Sequence, residues 1–406
     1  MKIIHIVGDS KWGGGGPILL ALGEMVKAHG WHVDILTTDQ ITQETVRRHG
    51  FGVIDLDVIW RPIRPLRDLR GLYRLYRYLK SSDHDIVHTH TSKAGFVGRI
   101  AARMAGVPVV LHTVHGFAFH EHSSKGILHS YATLEKLAAK FCDRIVTVSE
   151  FHRRWALELG IGRSDQITAI PNGLDKGRVA SAADPAALRR SWGVDAGQTV
   201  LLSPARLAPQ KGLASLIRAI PMLKEQTAVP FRVVIAGDGP LRGELEQLAH
   251  DLNVQDRVVF LGFRKDVGDL LAASDIVVLP SLYEGLSISL LEAMAAGKPI
   301  VTTDIGSNLE VTRNGDGASI VPPNRRGELA TAIAQMLNDA TFAQAKAARG
   351  QQIYNETYTV NRMLDAYWDI YSSLADSAAR TGNLRSVKPA PLAERPRATS
   401  IPNARV

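Results

Sequence analysis

Short, continuously apolar runs recur along the chain, each followed by a longer stretch whose apolar residues repeat every three to four positions. A run that is apolar on both faces belongs to a strand buried on both sides, and the stretch after it to a helix covering that strand. Repeated in this order, the pattern specifies parallel sheets with helices on both faces. It occurs twice. The first series comprises Lys2–Val7, His32–Thr37, Ile86–His88, Val109–His112 and Arg144–Val148. The second comprises Val200–Ser203, Arg232–Ala236, Arg257–Leu261, Ile276–Pro280, Ile300–Thr302 and Ala318–Val321. Two doubly wound α/β units are expected, 1–172 and 173–355, divided at the turn-rich "PNGLD", Pro171–Asp175. At 356–372, Met363, Leu364, Tyr367, Trp368, Ile370 and Tyr371 fall at helical spacing, which predicts a helix crossing back to bury a broad face on the first unit.

Composition narrows the class. At 406 residues the chain can build two full cores, and its 45% hydrophobic and 22% charged content is that of a soluble globular protein. No apolar run approaches the roughly 18–20 residues needed to span a bilayer. The N-terminal "MKIIHIVGDS" is broken by His5 and Gly8-Asp9 too early for a secretory signal. A lone cysteine, Cys142, excludes an intrachain disulfide framework and fits a reducing, cytoplasmic setting. The net charge of +8 invites an anionic partner, but much of it sits in residues 377–406, leaving the body mildly basic. Rich in Pro, Ala and Arg and without periodicity, that tail is expected to be disordered, with an electrostatic membrane tether as its functional alternative.

Three stretches carry chemistry. In "YEGLSISLLEAMAAGKP", residues 283–299, Glu284 and Glu292 stand eight apart just after an apolar run, and a helix is expected to start near Ser287 or Ile288. Eight helical residues span about 12 Å and leave about 80° of rotation, so both carboxylates can face one cleft. A helix N-terminus between them suits an anion. A ligand with hydroxyls at both ends and negative charge in the middle fits, as in a nucleotide diphosphate sugar. In "SPARLAPQKG", Ser203–Gly212, Arg206 and Lys211 lie beyond another strand end and can converge on one anion; two solvated surface cations are the alternative. In "GDSKWGGGGP", Gly8–Pro17, successive glycines let the backbone approach a ligand, although neither a Walker A nor a GxGxxG pattern is present.

Rival signals are weaker. Gly237, Gly239 and Gly243 in "IAGDGPLRG" miss the dinucleotide fingerprint by one residue. The acid that fold needs at the next strand end is absent, since Asp256 precedes its strand, so a turn opening a helix at Leu241–His250 is expected. Histidines crowd the first half at His88, His90, His112, His115, His120, His122 and His129, but without HExxH or a cysteine cluster, and no metal is expected. His115, beyond a strand end, is the candidate general base or hydrogen-bond partner for a substrate hydroxyl. Asp55-Leu56-Asp57 and Asp83-His84-Asp85 match the DxD pattern but fall away from the strand-end face. Finally, Ile59–Lys80 interleaves Arg61, Arg64, Arg67, Arg70, Arg74, Arg77 and Lys80 with leucines and tyrosines. This suits a helix lying on an anionic membrane, or a domain helix with a solvated basic edge; no nucleic-acid-binding signature accompanies it.

The set "GGGGP", "DIVHTHTSKAGFVGRIAARMAGVP", "HTVHGFAFHE", "VTVSE", "IPNGLD", "PARLAPQKG", "GDGPLRGELE", "LGFRKDV" and "PSLYEGLSISLLEAMAAGKPIV" resembles glycosyltransferase family 4, retaining transferases of the GT-B fold, from residue 1 to about 372. The resemblance implies two Rossmann-like domains facing across a cleft, the second binding a UDP- or GDP-linked sugar donor. Arg206 and Lys211 match the pair that holds the diphosphate in place of a metal, so no cofactor is implied. Glu284 matches the carboxylate facing the transferred sugar, Glu292 the one on the ribose, and Gly285, Leu286 and Ser287 the loop facing sugar and phosphate. Gly14, Gly15 and Gly16 match the first-domain loop that closes on phosphates and acceptor, His115 the histidine beside the donor sugar, and Gly262, Phe263 and Arg264 the base-binding region. The segments "HTHTSKAGFVGR" and "HTVHGFAFHE" look most like members that build lipid-linked surface or exopolysaccharide repeats. They imply hexosyl transfer to a polyprenyl-diphosphate-linked glycan, with Arg67, Arg70, Arg74 and Arg77 attaching the enzyme peripherally to the cytoplasmic face of the membrane. A transferase with a soluble sugar or sugar-phosphate acceptor and a non-catalytic nucleotide-sugar-binding scaffold are the competing readings.

Overall fold

The computed structural model describes residues 1–8, 15–60 and 64–385. The chain forms two compact units, Met1–Gly173 together with the chain from Val360 onward, and Leu174–Thr359. In the first, strands β1 (Lys2–Gly8), β2 (His32–Thr37), β3 (Gly52–Ile54), β4 (Ile86–His90), β5 (Val109–Val114), β6 (Arg144–Thr147) and β7 (Ile167–Ala169) form one sheet in the order β3-β2-β1-β4-β5-β6-β7. All pairings are parallel. The intervening helices are α1 (Gly16–Ala28), α2 (Gln40–Arg48), α3 (Pro65–Ser81), α4 (Ser92–Met104), α5 (Lys125–Ala139) and α6 (Glu150–Glu158). Strand order reverses between β1 and β4, and the register there sets His5 beside His88. Such a switch point is where open α/β sheets leave a crevice beyond their strand ends.

The second unit repeats the plan. Strands β8 (Thr199–Pro204), β9 (Phe231–Ala236), β10 (Val258–Gly262), β11 (Ile276–Leu279), β12 (Ile300–Thr303) and β13 (Ser319–Val321) run parallel in the order β10-β9-β8-β11-β12-β13. Its helices are α7 (Pro185–Ser191), α8 (Leu213–Gln226), α9 (Arg242–Asp251), α10 (Val267–Ala272), α11 (Ile288–Ala295), α12 (Gly306–Val311), α13 (Arg326–Asn338) and α14 (Ala340–Thr357). The reversal falls between β8 and β11, so the loops bearing Arg206 and Glu284 leave adjacent strands. Both series of apolar runs thus form doubly wound sheets. Strands β3 and β7 were not expected, because each is three residues long and no more than one of those residues is fully buried. Edge strands of this kind carry no continuous apolar run.

The end of the chain differs from expectation. A helix α15 spans Val360–Arg380, beyond the anticipated limit at 372, and buries Tyr367, Tyr371, Ala375 and Ala378. Order continues past it. The Arg385 backbone N–H donates to Asp85 Oδ1 at 2.8 Å, and its guanidinium donates to the carbonyls of Leu79 and Ala105 at 2.7 and 2.5 Å. The expected disorder from 377 is therefore corrected for 377–385: one arginine satisfies carbonyls at the ends of α3 and α4. The remainder of that tail lies outside the described residues.

A buried ion pair joins α4 to α5. Arg99, with no solvent exposure, donates to Glu135 Oε2 at 2.7 Å and to the Gly95 carbonyl at 2.8 Å. Removing one partner of such a pair strands the other charge in a dry interior. Glu135→Leu is expected to lower unfolding stability by about 3–5 kcal/mol in urea, and Arg99→Met added to it to restore much of the loss.

Candidate functional site

In the second unit, two loops meet at the β8/β11 switch point because a glycine lets them cross. Gly212 holds φ +61°, and a Cβ placed on it would stand 2.0 Å from the Pro280 carbonyl oxygen. The crossing is tied by the Leu282 N–H donating to the Gln210 carbonyl at 2.8 Å. As a result Lys211 Nζ lies 2.5 Å from Glu284 Oε1, which also accepts from Ser281 Oγ at 2.8 Å. Gln210 Nε2 donates to the other carboxylate oxygen at 3.1 Å. Glu284 is thus held on three sides with 7% of its side chain exposed.

Arg206 ends the preceding part of the same loop and is exposed, with no side-chain hydrogen bond or ion pair among the described residues. The glycines that imitate a dinucleotide fingerprint shape this loop. A Cβ at Gly237 would meet the Ala205 carbonyl oxygen at 2.0 Å, and one at Gly239 the Leu207 carbonyl oxygen at 2.4 Å. They let the β9–α9 turn press against the backbone on both sides of Arg206. The structure brings Lys211, rather than Arg206, into contact with Glu284.

Helix α11 starts at Ile288 as the spacing predicts. Its cap is Ser287, whose side chain accepts from the Leu290 N–H, and Gly285, Leu286 and Ser287 form the tight approach to it. Glu292 is 3% exposed on this helix, and Arg178 Nε donates to its Oε1 at 2.6 Å. Burial pushes the Glu292 carboxyl above its ordinary pKa, while Arg178 and then Lys211 pull it back. Arg178 was missed. It sits in a single turn, Lys176–Val179, far from Glu292 in the chain, and no motif spacing links the two. Each of the paired carboxylates therefore arrives with its own cation. Gly262 ends β10, two strands from β8, and Phe263 and Arg264 follow it. Gly262 turns the chain at φ +70°, Phe263 is 70% exposed, and Arg264 forms a two-point ion pair with Asp266.

The first unit holds a second polar cluster at its own switch point. His5, His88 and His90 are buried, and His115 follows β5 half-buried. His5 Nδ1 lies 3.0 Å from His90 Nε2, and His90 Nδ1 lies 3.0 Å from His115 Nε2. His88 is bonded through Nδ1 to the Tyr371 hydroxyl at 2.6 Å and through Nε2 to Thr113 Oγ1 at 2.8 Å. Burial depresses all four imidazoles, His5 to about 3 and His115 to about 4, so they are neutral near pH 7. A ring with so low a pKa is a poor general base there, which favours the hydrogen-bonding role for His115. Nitrogens of His5, His88 and His90 lie within 4.8 Å of one another, a spacing suited to a zinc-type ion, but all except His5 Nε2 are engaged in protein hydrogen bonds.

Gly15 precedes α1 and Gly16 opens it, whereas Gly14 and Arg61 lie outside the described residues. The DxD strings are structural: Asp83 pairs with Lys2 at 2.8 Å, Asp85 accepts from two backbone N–H groups, Asp55 accepts from Gln43 and Asp57 faces Arg67. On α3, Leu75 and Leu79 are buried while Leu66, Leu69 and Tyr73 are 82%, 63% and 56% exposed. Arg67, Arg70, Arg74 and Arg77 stand exposed among them. Arg67 lies over the Trp60 ring at 4.0 Å and Arg77 reaches the Tyr73 hydroxyl at 3.3 Å.

Comparison with known proteins identifies the family. Residues 13–173 match the glycosyl transferase 4-like domain, and residues 184–354 match glycosyl transferases group 1. The UDP-Gal:alpha-D-GlcNAc-diphosphoundecaprenol alpha-1,3-galactosyltransferase of Escherichia coli is 34% identical, the match covering 72% of this chain and 77% of that protein. The putative glycosyltransferase EpsD of Bacillus subtilis is 31% identical, over 70% and 76%. Among solved structures, Anabaena HepE in complex with UDP-glucose superposes with a TM-score of 0.78 at 26% identity, covering 92% of this chain and all of that one. The chain belongs to the group 1, family 4-like glycosyltransferases and has their GT-B fold.

Proposed function

We infer that the protein is a retaining, metal-independent transferase that moves a hexosyl group from a UDP-sugar to a glycan acceptor. The contact that carries this reading is the Lys211–Glu284 pair beside the α11 N-terminus. A nucleotide diphosphate sugar gathers negative charge on its diphosphate as the sugar–oxygen bond breaks. Donors gathered around that charge once the ligand has drawn Lys211 from Glu284 stabilise the transition state. Arg206, Lys211 and the first N–H groups of α11 supply them, in the role a divalent ion takes elsewhere. Glu284 accepts hydroxyls of the transferred hexose, and Glu292, held by Arg178, faces the ribose. Neither carboxylate serves as a nucleophile: Glu292 is held by Arg178, and Glu284 is committed to the hexose hydroxyls. The acceptor hydroxyl attacks on the face the diphosphate leaves, and its proton passes to the departing phosphate oxygen, retaining configuration. The choice of UDP rests on HepE, solved with UDP-glucose, and on the UDP-Gal named for the Escherichia coli relative.

The acceptor reading is a polyprenyl-diphosphate-linked glycan, used in exopolysaccharide or surface-polysaccharide assembly at the inner face of the cell membrane. Its supports are the diphosphoundecaprenol acceptor named for that relative and the character of α3. Three large apolar side chains project among four exposed arginines on one helix, a combination suited to an anionic bilayer surface. Among the described residues no helix is long and apolar enough to cross a membrane, so α3 would act by lying on the surface.

Two experiments test these readings. Calorimetric titration in excess chelator is expected to show UDP binding with GDP clearly weaker, and Lys211→Ala to weaken UDP by about tenfold or more. Loss of UDP binding on chelation would remove the metal-independent account. In vesicle sedimentation, changing Arg67, Arg70, Arg74 and Arg77 to Gln is expected to release the protein from anionic vesicles, each charge contributing about 1 kcal/mol. Unchanged sedimentation would remove α3 as the membrane contact.

A further inference from the structure

We propose that His5 and His90 are positioning residues that lock the tautomer of His115, so that it presents an Nδ1–H donor outward. Nothing in a donor-binding role for His115 requires two more imidazoles buried behind it. Their geometry does. A neutral imidazole carries one N–H and one lone pair, and a hydrogen bond between two rings needs one of each. With His5 Nδ1 at 3.0 Å from His90 Nε2, and His90 Nδ1 at 3.0 Å from His115 Nε2, the three tautomers are coupled in series. Only two arrangements satisfy both contacts.

In the first, His5 Nδ1–H donates to His90 Nε2, His90 Nδ1–H donates to His115 Nε2, and His115 is left with N–H at Nδ1. In the second, every bond is reversed, His115 shows a lone pair at Nδ1, and His5 must bury N–H at Nε2. That atom is buried and has no partner. Orphaned N–H groups are the rarer kind of unsatisfied polar atom in protein interiors. The first arrangement, which leaves only a lone pair there, is therefore selected. Among the described residues no carboxylate contacts the three rings to hold a proton differently: His90 is flanked by His5, His88 and His115, and His88 is saturated by Tyr371 and Thr113. Thr113 is in turn bonded to the Tyr367 hydroxyl at 2.9 Å, so α15 braces the stack from the side. Helix α15 thereby fixes His88, whose ring packs against that of His90 at 4.1 Å.

The functional consequence rests on the reading that His115 faces the donor sugar: there it gives a hydrogen bond to an oxygen of the transferred sugar and does not take a proton. The test is a two-bond ¹H–¹⁵N correlation spectrum of the full chain labelled with ¹⁵N-histidine, with His115→Gln identifying the signals. Wild type is expected to show His115 protonated at Nδ1. His90→Leu, which removes the donor behind it, is expected to shift His115 toward the Nε2–H form and to lower kcat by about tenfold with UDP affinity unchanged. His90→Asn, whose amide N–H stands near the position of Nδ1, is expected to keep the wild-type tautomer and most of the turnover. An Nε2–H form in wild type, or an unmoved tautomer in His90→Leu, would overturn the relay, and the wild-type spectrum decides this even if a variant folds poorly. A moved tautomer with unchanged kcat would uphold the relay and instead remove His115 from the donor site.

Discussion

A lysine and a glutamate 2.5 Å apart set the electrostatics of the second unit. Alone, the carboxylate would repel any anion brought to the loop, and the ammonium would leave it weakly bound in water. Held together with only 21% and 7% of their side chains exposed, they neutralise each other until a ligand supplies a better arrangement. Opposite charges at about 4 Å interact by about 4 kcal/mol at the effective dielectric of a protein surface. A diphosphate that competes for the lysine recovers part of that cost when the glutamate finds new partners, and sugar hydroxyls provide them. The pair thus favours a ligand that carries anion and hydroxyls together over free phosphate.

The same logic recurs at Glu292, where burial disfavours the charge and Arg178 restores it. Neither pair would exist without close backbone crossings. Gly212 admits the Pro280 carbonyl, while Gly237 and Gly239 admit the carbonyls flanking Arg206. A side chain at any of these positions would push a loop off its neighbour and move a cation away from the switch point. What looks in sequence like a failed cofactor fingerprint is thus a packing requirement of the charged loop beside it.

Much of this was readable because it is local. A strand, its following loop and the first turn of a helix are contiguous, so Ser287, Glu284, Glu292, Arg206 and Lys211 announce themselves through spacing alone, and the α11 start falls where the cap predicts. Features built by distant segments were not readable. Arg178 reaches Glu292 across more than a hundred residues, and Arg385 reaches Asp85 across about three hundred. Histidine crowding was visible, but which nitrogen meets which ring depends on strand order and register. Strands β3 and β7 escaped for a different reason: at three residues each on the sheet edge, they bury too little to leave a pattern.

The most direct measurement is a crystal structure of the protein with UDP-hexose, grown with chelator present. The account predicts diphosphate oxygens about 3 Å from Lys211 Nζ and the Arg206 guanidinium, with hexose hydroxyls on Glu284 and the ribose on Glu292. A diphosphate bound away from these four side chains, or bound with Lys211 still closed on Glu284, would contradict it.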